Sequence, residues 1–328
     1  MRLGDLRIAY LCPEGGPHLA HKPWIQSLSE FAVVTVIHAP RNILRRIFPS
    51  YILTNERYNL TIADGFSTLP VGWLMKKVRL TEKLAFITTS SALACFPRLS
   101  SYLLKDVDFI IATSLLMSQV VRSLGFNKQI VVCYPIPELS DFFNIEPSLN
   151  SKKICFVGSH VYTKGVDLLP EIIVKVRKKV KDAELYIIGK GEMIRGSEGI
   201  RIFGYTPHGK RLLLLLSECS IYLHPARFEA FGLSAVEAMA TGLIPIVTEM
   251  TGAKDLVKQI DPSLVVPVDP DAISMKIIET LSMDIREKKV LSRRAKKVAE
   301  EWSAKGKESF LRGIAKGLQI SEGIHSLP

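Results

Sequence analysis

No stretch of the 328 residues approaches the roughly 20 consecutive apolar residues that a membrane-spanning helix requires. The run Leu212 to Leu216 is short and flanked by Lys210, Arg211 and Glu218, so no bilayer-spanning segment is expected. Residues Met1 to Tyr10 also lack the apolar core of about 7 to 15 residues that marks a secretory signal; they alternate apolar and polar and include Asp5 and Arg7. Cysteine is scarce. Its occurrences at 12, 95, 133, 155 and 219 are odd in number and form neither a CxxC pair nor a His-containing zinc pattern, which predicts reduced thiols in a cytoplasmic protein. Acidic residues are short as well: 32 Asp and Glu face 43 Lys and Arg, a formal net charge of +11. The excess implies attraction to something anionic, whether nucleic acid, lipid headgroups or a phosphorylated substrate. No recognised nucleic-acid motif accompanies it, so nucleic acid is not the expected partner. No GxGxxG follows the first strand with an acid about 20 residues on, which disfavours a nicotinamide-dependent enzyme.

What the sequence does contain is an alternation of short β-branched runs with amphipathic stretches, the pattern of parallel sheets covered by helices on both faces. In the first half the predicted strands are 7–11, 32–37, 59–63, 84–88, 108–112 and 129–133; in the second they are 153–157, 184–188, 200–203, 220–223, 244–247 and 264–266. Two α/β domains follow. Pro135, Pro137 and Pro147 deny helix and central strand to 134–151, which is read as the linker. From about Asp284 the chain reads as several basic helices with no strand.

The segment with the most chemical content is His224 to Val247, HPARFEAFGLSAVEAMATGLIPIV: a strand end, a Gly-containing loop, a short helix and another strand. Open parallel sheets bind ligands beyond the carboxyl ends of their strands, which is where Glu229 would sit. The amides of Phe231, Gly232 and Leu233 would emerge at a helix N-terminus, a natural seat for phosphate. A sugar nucleotide offers both features, diphosphate for the amides and hydroxyls for carboxylates. Ser234 and Glu237 also fit a capping box, and Glu229 alone would pass for a solvated loop carboxylate.

Glu229 and Glu237, followed by Ala238, Met239, Ala240, Gly242, Pro245 and Val247, resemble the signature of the retaining glycosyltransferases of family 4, the glycosyl transferases group 1. The resemblance implies a GT-B fold, two Rossmann-like domains with parallel sheets facing a central cleft. It implies an acceptor-binding domain over 1–147 and a nucleotide-sugar donor domain over 148–328, with 303–328 packing back on the first. By that likeness Glu229 is the catalytic-site residue that holds the transferred sugar's hydroxyls, and Glu237 holds the ribose. FVGSHVYTKG (156–165) resembles the family's diphosphate turn, in which Lys164 matches the lysine while Ser159 stands at the arginine position. Ser159 loses a bidentate contact, for which Arg227 or Arg195 is a candidate replacement. Gly189 and Gly191 resemble the nucleotide GxG turn, Tyr205 a residue lying against the base, and Asp255 in TGAKDL a residue the diphosphate could reach.

In the first half Gly15 and Gly16 resemble the family's paired glycines beside donor phosphate and acceptor, a reading preferred to that of a plain β-to-α turn. FITTSS (86–91) lacks the family's histidine; His18 and His21 are the nearest imidazoles in the glycine loop. Asp106 and Asp108 form a DxD, read as structural, and neither a metal nor another cofactor is required. Residues 41–83 mix Arg41, Arg45, Arg46, Arg57, Lys76, Lys77, Arg79 and Lys83 with aromatic and aliphatic side chains, which suits either an anionic membrane surface or an ordinary amphipathic helix. The expectation is a retaining hexosyltransferase, cytoplasmic or peripheral on the inner face of the membrane, moving sugar to a lipid-linked or glycan acceptor. A catalytically weak nucleotide-sugar-binding homologue or scaffold subunit is the alternative.

Overall fold

The protein's structure, a computed structural model, describes residues 6–17, 19–40, 56–90 and 92–319. The chain divides into two compact units, Met1–Pro137 with Lys305–Pro328, and Glu138–Ala304. Each holds one parallel six-stranded sheet. Every predicted strand is present with shifts of a few residues at its ends; the central ones, buried on both faces, read as near-continuous apolar runs.

In the first unit β1 (Arg7–Pro13), β2 (Val33–Ala39), β3 (Tyr58–Asp64), β4 (Thr81–Thr88), β5 (Phe109–Ala112) and β6 (Gln129–Val132) lie in the order β2-β1-β3-β4-β5-β6. Ile8 pairs with Val34 on one side and Leu60 on the other, and all three strands point the same way. The core is completed from the far end of the chain. Trp24 is stacked between His21 and Phe310, each at 4.6 Å, and Phe310, Leu311 and Ile314 join the cluster around Ile8 and Tyr10. Gly313 and Gly317 allow this approach: a Cβ on either would meet Cys133 Sγ at 2.8 Å or the Phe109 ring at 2.4 Å.

The second unit contains β7 (Lys153–Val157), β8 (Glu184–Ile188), β9 (Ile200–Gly204), β10 (Ile221–His224), β11 (Ile244–Thr248) and β12 (Val265–Val266), ordered β12-β11-β10-β7-β8-β9. The chain runs outward from β7 to β9, then returns to place β10 beside β7. That reversal is the topological switch point, where loops after adjacent strands leave in opposite directions and open a crevice.

Three readings are corrected. Residues 138–147 group with the second unit rather than the first, held by Lys296 Nζ on the Ile145 carbonyl at 2.8 Å and on Glu146 at 2.7 Å. The proline-rich stretch contains one helical turn, Ser140–Phe143, which fits between its prolines. The basic C-terminal region is a single helix, Ile285–Leu318.

The DxD pair is structural. Asp106 accepts from Trp73 Nε1 at 2.7 Å and pairs with Lys77 at 2.9 Å, while Asp108 pairs with Lys76 and accepts the Leu84 amide at 2.7 Å. These contacts also occupy Lys76 and Lys77, and Lys83 donates to the Leu318 carbonyl at 3.0 Å. Three of the eight basic residues of the supposed membrane cluster are thereby engaged within the fold, and Arg41, Arg45 and Arg46 lie outside the described residues.

Candidate functional site

The loops after β7 and β10 are stitched together at the switch point. Thr163 O accepts from the amides of Arg227 and Phe228 at 2.8 and 3.0 Å. Gly165, at φ 66°, lies so close that a Cβ there would fall 1.9 Å from the Pro225 carbonyl oxygen. Only glycine meets both the left-handed backbone and the contact. The stitching brings Lys164 Nζ to 3.2 Å from Glu229 Oε2. Glu229 is fixed from the other side too, its amide donating to Met250 O and its carbonyl accepting from Gly252 N, each at 2.9 Å.

The same Glu229 oxygen lies 3.4 Å from His224 Nε2, at the buried end of β10. Burial pushes the Glu229 carboxyl up, but His224 and Lys164 outweigh it and hold the group at about 2. It is therefore an anion throughout the physiological range. His224 is pushed down by burial, against the pull of Glu229, which favours a neutral ring. A neutral ring facing a carboxylate keeps its proton on Nε2, and its Nδ1 then accepts from Tyr222 OH at 2.8 Å. Tyr222 OH in turn meets Ser234 Oγ at 2.7 Å. Among the described residues His224 Nε2 has no acceptor other than Glu229, which it meets at 3.4 Å.

Ser234 is thus used by Tyr222, and the helix Leu233–Thr241 begins at Gly232 with no side chain capping it. The capping box does not form. The uncapped N-terminus keeps the dipole of this helix directed at the loop that holds Glu229. Glu237, buried one turn further on, lies 3.3 Å from His208 Nε2, and that contact raises the His208 pKa against the opposing effect of burial.

Gly189 and Gly191 close the β8 loop over the β7 turn: a Cβ would stand 1.7 Å from Gly158 O and 2.3 Å from His160 Cβ respectively. His160, against which Gly191 packs, is itself buried. Phe231 stacks on Trp302 at 5.7 Å and its carbonyl accepts from Ala253 N at 2.6 Å. Asp255, in the first turn of Lys254–Ile260, has a buried Oδ2 with no hydrogen-bond partner among the described residues.

Other expected residues are not gathered in this way. Tyr205 is 73% exposed, and Ser159 and Arg195 also face solvent. Arg227 is committed elsewhere, bidentate to Asp167 at 2.6 and 2.9 Å and lying 4.0 Å over the Tyr162 ring, so it does not replace the missing arginine as it stands. In the first unit Gly16, at φ 90°, closes a turn on Pro13 O at 2.8 Å, and a Cβ on Gly15 or Gly16 would meet nothing within 4 Å. His18 lies outside the described residues. His21 is buried against Asp64 at 2.9 Å, and Asp64 also accepts from Tyr10 OH at 3.0 Å. After β4, Thr88 and Thr113 bond to each other at 3.2 and 2.5 Å where the histidine was sought. Among the described residues no group of three or more His, Cys, Asp or Glu is placed to hold a metal.

Residues 139–298, which lie within the second unit, match the family model of the glycosyl transferases group 1. The second unit is thus similar to a group 1 glycosyltransferase domain. It is 26% identical over 252 residues to the GPI3 subunit of the Saccharomyces cerevisiae phosphatidylinositol N-acetylglucosaminyltransferase, covering 70% of this chain and 48% of that one. The chain thus spans about half the length of that relative. Across both units the chain shares the GT-B fold with solved glycosyltransferases. Sucrose-phosphate synthase from Thermosynechococcus elongatus matches with a TM-score of 0.74 at 16% identity, over 96% of this chain and 99% of that one. Anabaena HepE, solved with UDP and glucose, matches with a TM-score of 0.75 at 14% identity, over 95% and 100%. No described helix is long and apolar enough to cross a membrane.

The second unit also contains residues that sequence reasoning passed over: Tyr222, His224, His208 and His160. His224 left one readable trace, a polar residue closing the otherwise apolar run IYLH at the carboxyl end of a buried strand.

Proposed function

We propose that the protein is a retaining hexosyltransferase that moves sugar from a nucleotide-sugar donor to a lipid-linked or glycan acceptor. The observation that carries this reading is the Lys164–Glu229 pair at the switch point, 3.2 Å apart and largely buried. Its two members suit the two halves of a sugar diphosphate. Glu229, ionised and held by three elements, accepts hydrogen bonds from sugar hydroxyls. Lys164 and the N-terminus of Leu233–Thr241 take the diphosphate, neutralising the charge that develops as the leaving group departs. Glu237 binds the ribose, the Gly189–Gly191 turn lies along the nucleotide, and Tyr205 stands free to cover the base. With that charge supplied by side chain and helix, the transfer needs neither a metal nor another cofactor.

Retention rests on the resemblance to family 4, in which the donor phosphate itself accepts the acceptor's proton. Such a route asks little of the first unit, consistent with threonines where the histidine was expected. The acceptor belongs with the first unit near Gly15 and Gly16, and the enzyme works in the cytoplasm, peripheral to the membrane. The yeast relative named for phosphatidylinositol supports a lipid acceptor. Incubation with a panel of labelled nucleotide sugars, followed by assay of nucleoside diphosphate release, tests the reading. The committed Arg227 and the exposed Ser159 favour one alternative, a donor-binding homologue of low turnover; donor binding with no release across acceptors would establish it.

A further inference from the structure

Part of the first unit leaves uncovered the kind of side chains that cores take in. Along the helix Pro97–Leu104, Ser100, Leu103 and Leu104 face inward, while Phe96, Leu99 and Tyr102, spaced by three, remain 57%, 48% and 55% exposed. Two more rings extend the patch: Phe66 stacks on Phe96 and Trp73 leans on Tyr102, each with centroids 6.0 Å apart. Phe66 directly follows Gly65 after β3, and Phe96 follows the helical turn Ala92–Cys95 after β4. The Phe66–Phe96 stack therefore lies at the carboxyl edge of the sheet, the edge that carries the Gly15–Gly16 turn.

The charge around the patch has one sign. Arg98 and Lys105 are exposed on it and residues 92–105 include no acid. The next acids, Asp106 and Asp108, are already paired with Lys77 and Lys76. A second copy of the chain docking by this face would bring two patches of the same positive sign together with no carboxylate from 92–105 between them. A bilayer satisfies every part: aromatic rings at the headgroup level, Leu99 in the acyl boundary, and guanidinium and ammonium groups on anionic phosphates.

We infer that this patch seats the first unit on a membrane containing anionic lipid, which presents the carboxyl edge of the sheet to a lipid-linked acceptor. The inference relies on the proposed function only for the nature of the acceptor.

Cys95 provides the probe, since it is exposed and the other four cysteines are buried. Labelled there with an environment-sensitive dye, the full chain is expected to shift to the blue with vesicles of a four-to-one mixture of phosphatidylcholine and phosphatidylglycerol, and much less with phosphatidylcholine alone. Unlabelled protein should float with the mixed vesicles. Leu99→Asp with Tyr102→Asp should reduce flotation by about tenfold or more, as should Arg98→Glu with Lys105→Glu, which alters no apolar residue. Val174→Asp, at a 55% exposed site in the other unit, should change nothing. Failure of the wild-type chain to float, equal flotation of the charge-reversed variant, or a blue shift that grows with protein concentration without vesicles would overturn the inference. Calorimetric titration with the nucleotide sugar is read separately: its failure would remove the donor reading and leave the vesicle result intact.

Discussion

Tyr222 and His224 stand two residues apart on β10, on the same face of the sheet, with the tyrosine hydroxyl 2.8 Å from Nδ1 of the imidazole. The pair settles which nitrogen of His224 faces Glu229, and Ser234 extends it to the start of the helix expected to receive phosphate. Phenylalanine at 222 keeps the ring and deletes the hydroxyl, freeing the imidazole to change tautomer. Tyr222→Phe is expected to lower kcat about tenfold with little change in KM. An unchanged kcat and pH profile would show that the chain does not position Glu229.

Glu229→Gln keeps the shape of the side chain and removes its charge. Turnover should fall by about 10²- to 10³-fold, on the scale of losing one aligned transition-state contact. The fold is expected to persist, checked by circular dichroism, and turnover at the wild-type rate would falsify the assignment.

The same residue should leave a mark on stability. Its folded value of about 2 lies below the ordinary 4.5, so its contribution is complete above 4.5 and is lost as pH falls toward 2. Between pH 6 and pH 3 the wild-type domain should lose about 2 kcal/mol through this group, a loss that urea titrations of Glu229→Gln should not show.

His208 holds Glu237, the carboxylate assigned to the ribose, and its raised pKa favours protonation as pH falls. Protonated His208 competes for that carboxylate. Donor affinity should weaken from pH 8 to pH 6 in the wild-type protein, and His208→Ala should flatten the dependence in calorimetric titrations. A dependence equally steep in the variant would separate Glu237 from the donor.

Gly165→Ala places a methyl group 1.9 Å from the Pro225 carbonyl oxygen and forces an L-residue to φ 66°. Donor binding should be lost and stability reduced by about 2 kcal/mol or more. Gly15→Ala, with open space around it, should be nearly neutral in the same thermal melt.

Much of this architecture is legible in the sequence because burial on both faces writes strands as compact apolar runs. β7 and β8 have the bounds read from the sequence, 153–157 and 184–188. The loops that carry Lys164 and Glu229 were legible for the same reason, since they follow strands whose ends were marked. Partner choice was not. Arg227 finds Asp167 sixty residues away, and His208 reaches Glu237 from a loop with no periodicity of its own. The Ser234–Glu237 spacing fits a capping box on local grounds, but the hydroxyl of Tyr222 reaches Ser234 first, and only the packing of β10 reveals it.

The helix Ile285–Leu318 carries a consequence for the order in which the protein is made. Phe310 and Ile314 complete a core whose other members begin at Leu6, so the first unit to leave the ribosome is the last that can close. Until those final turns emerge, Trp24 has only the His21 ring to cover it, and a chain stopped after Ala304 would hold its second unit entire and its first with an open core.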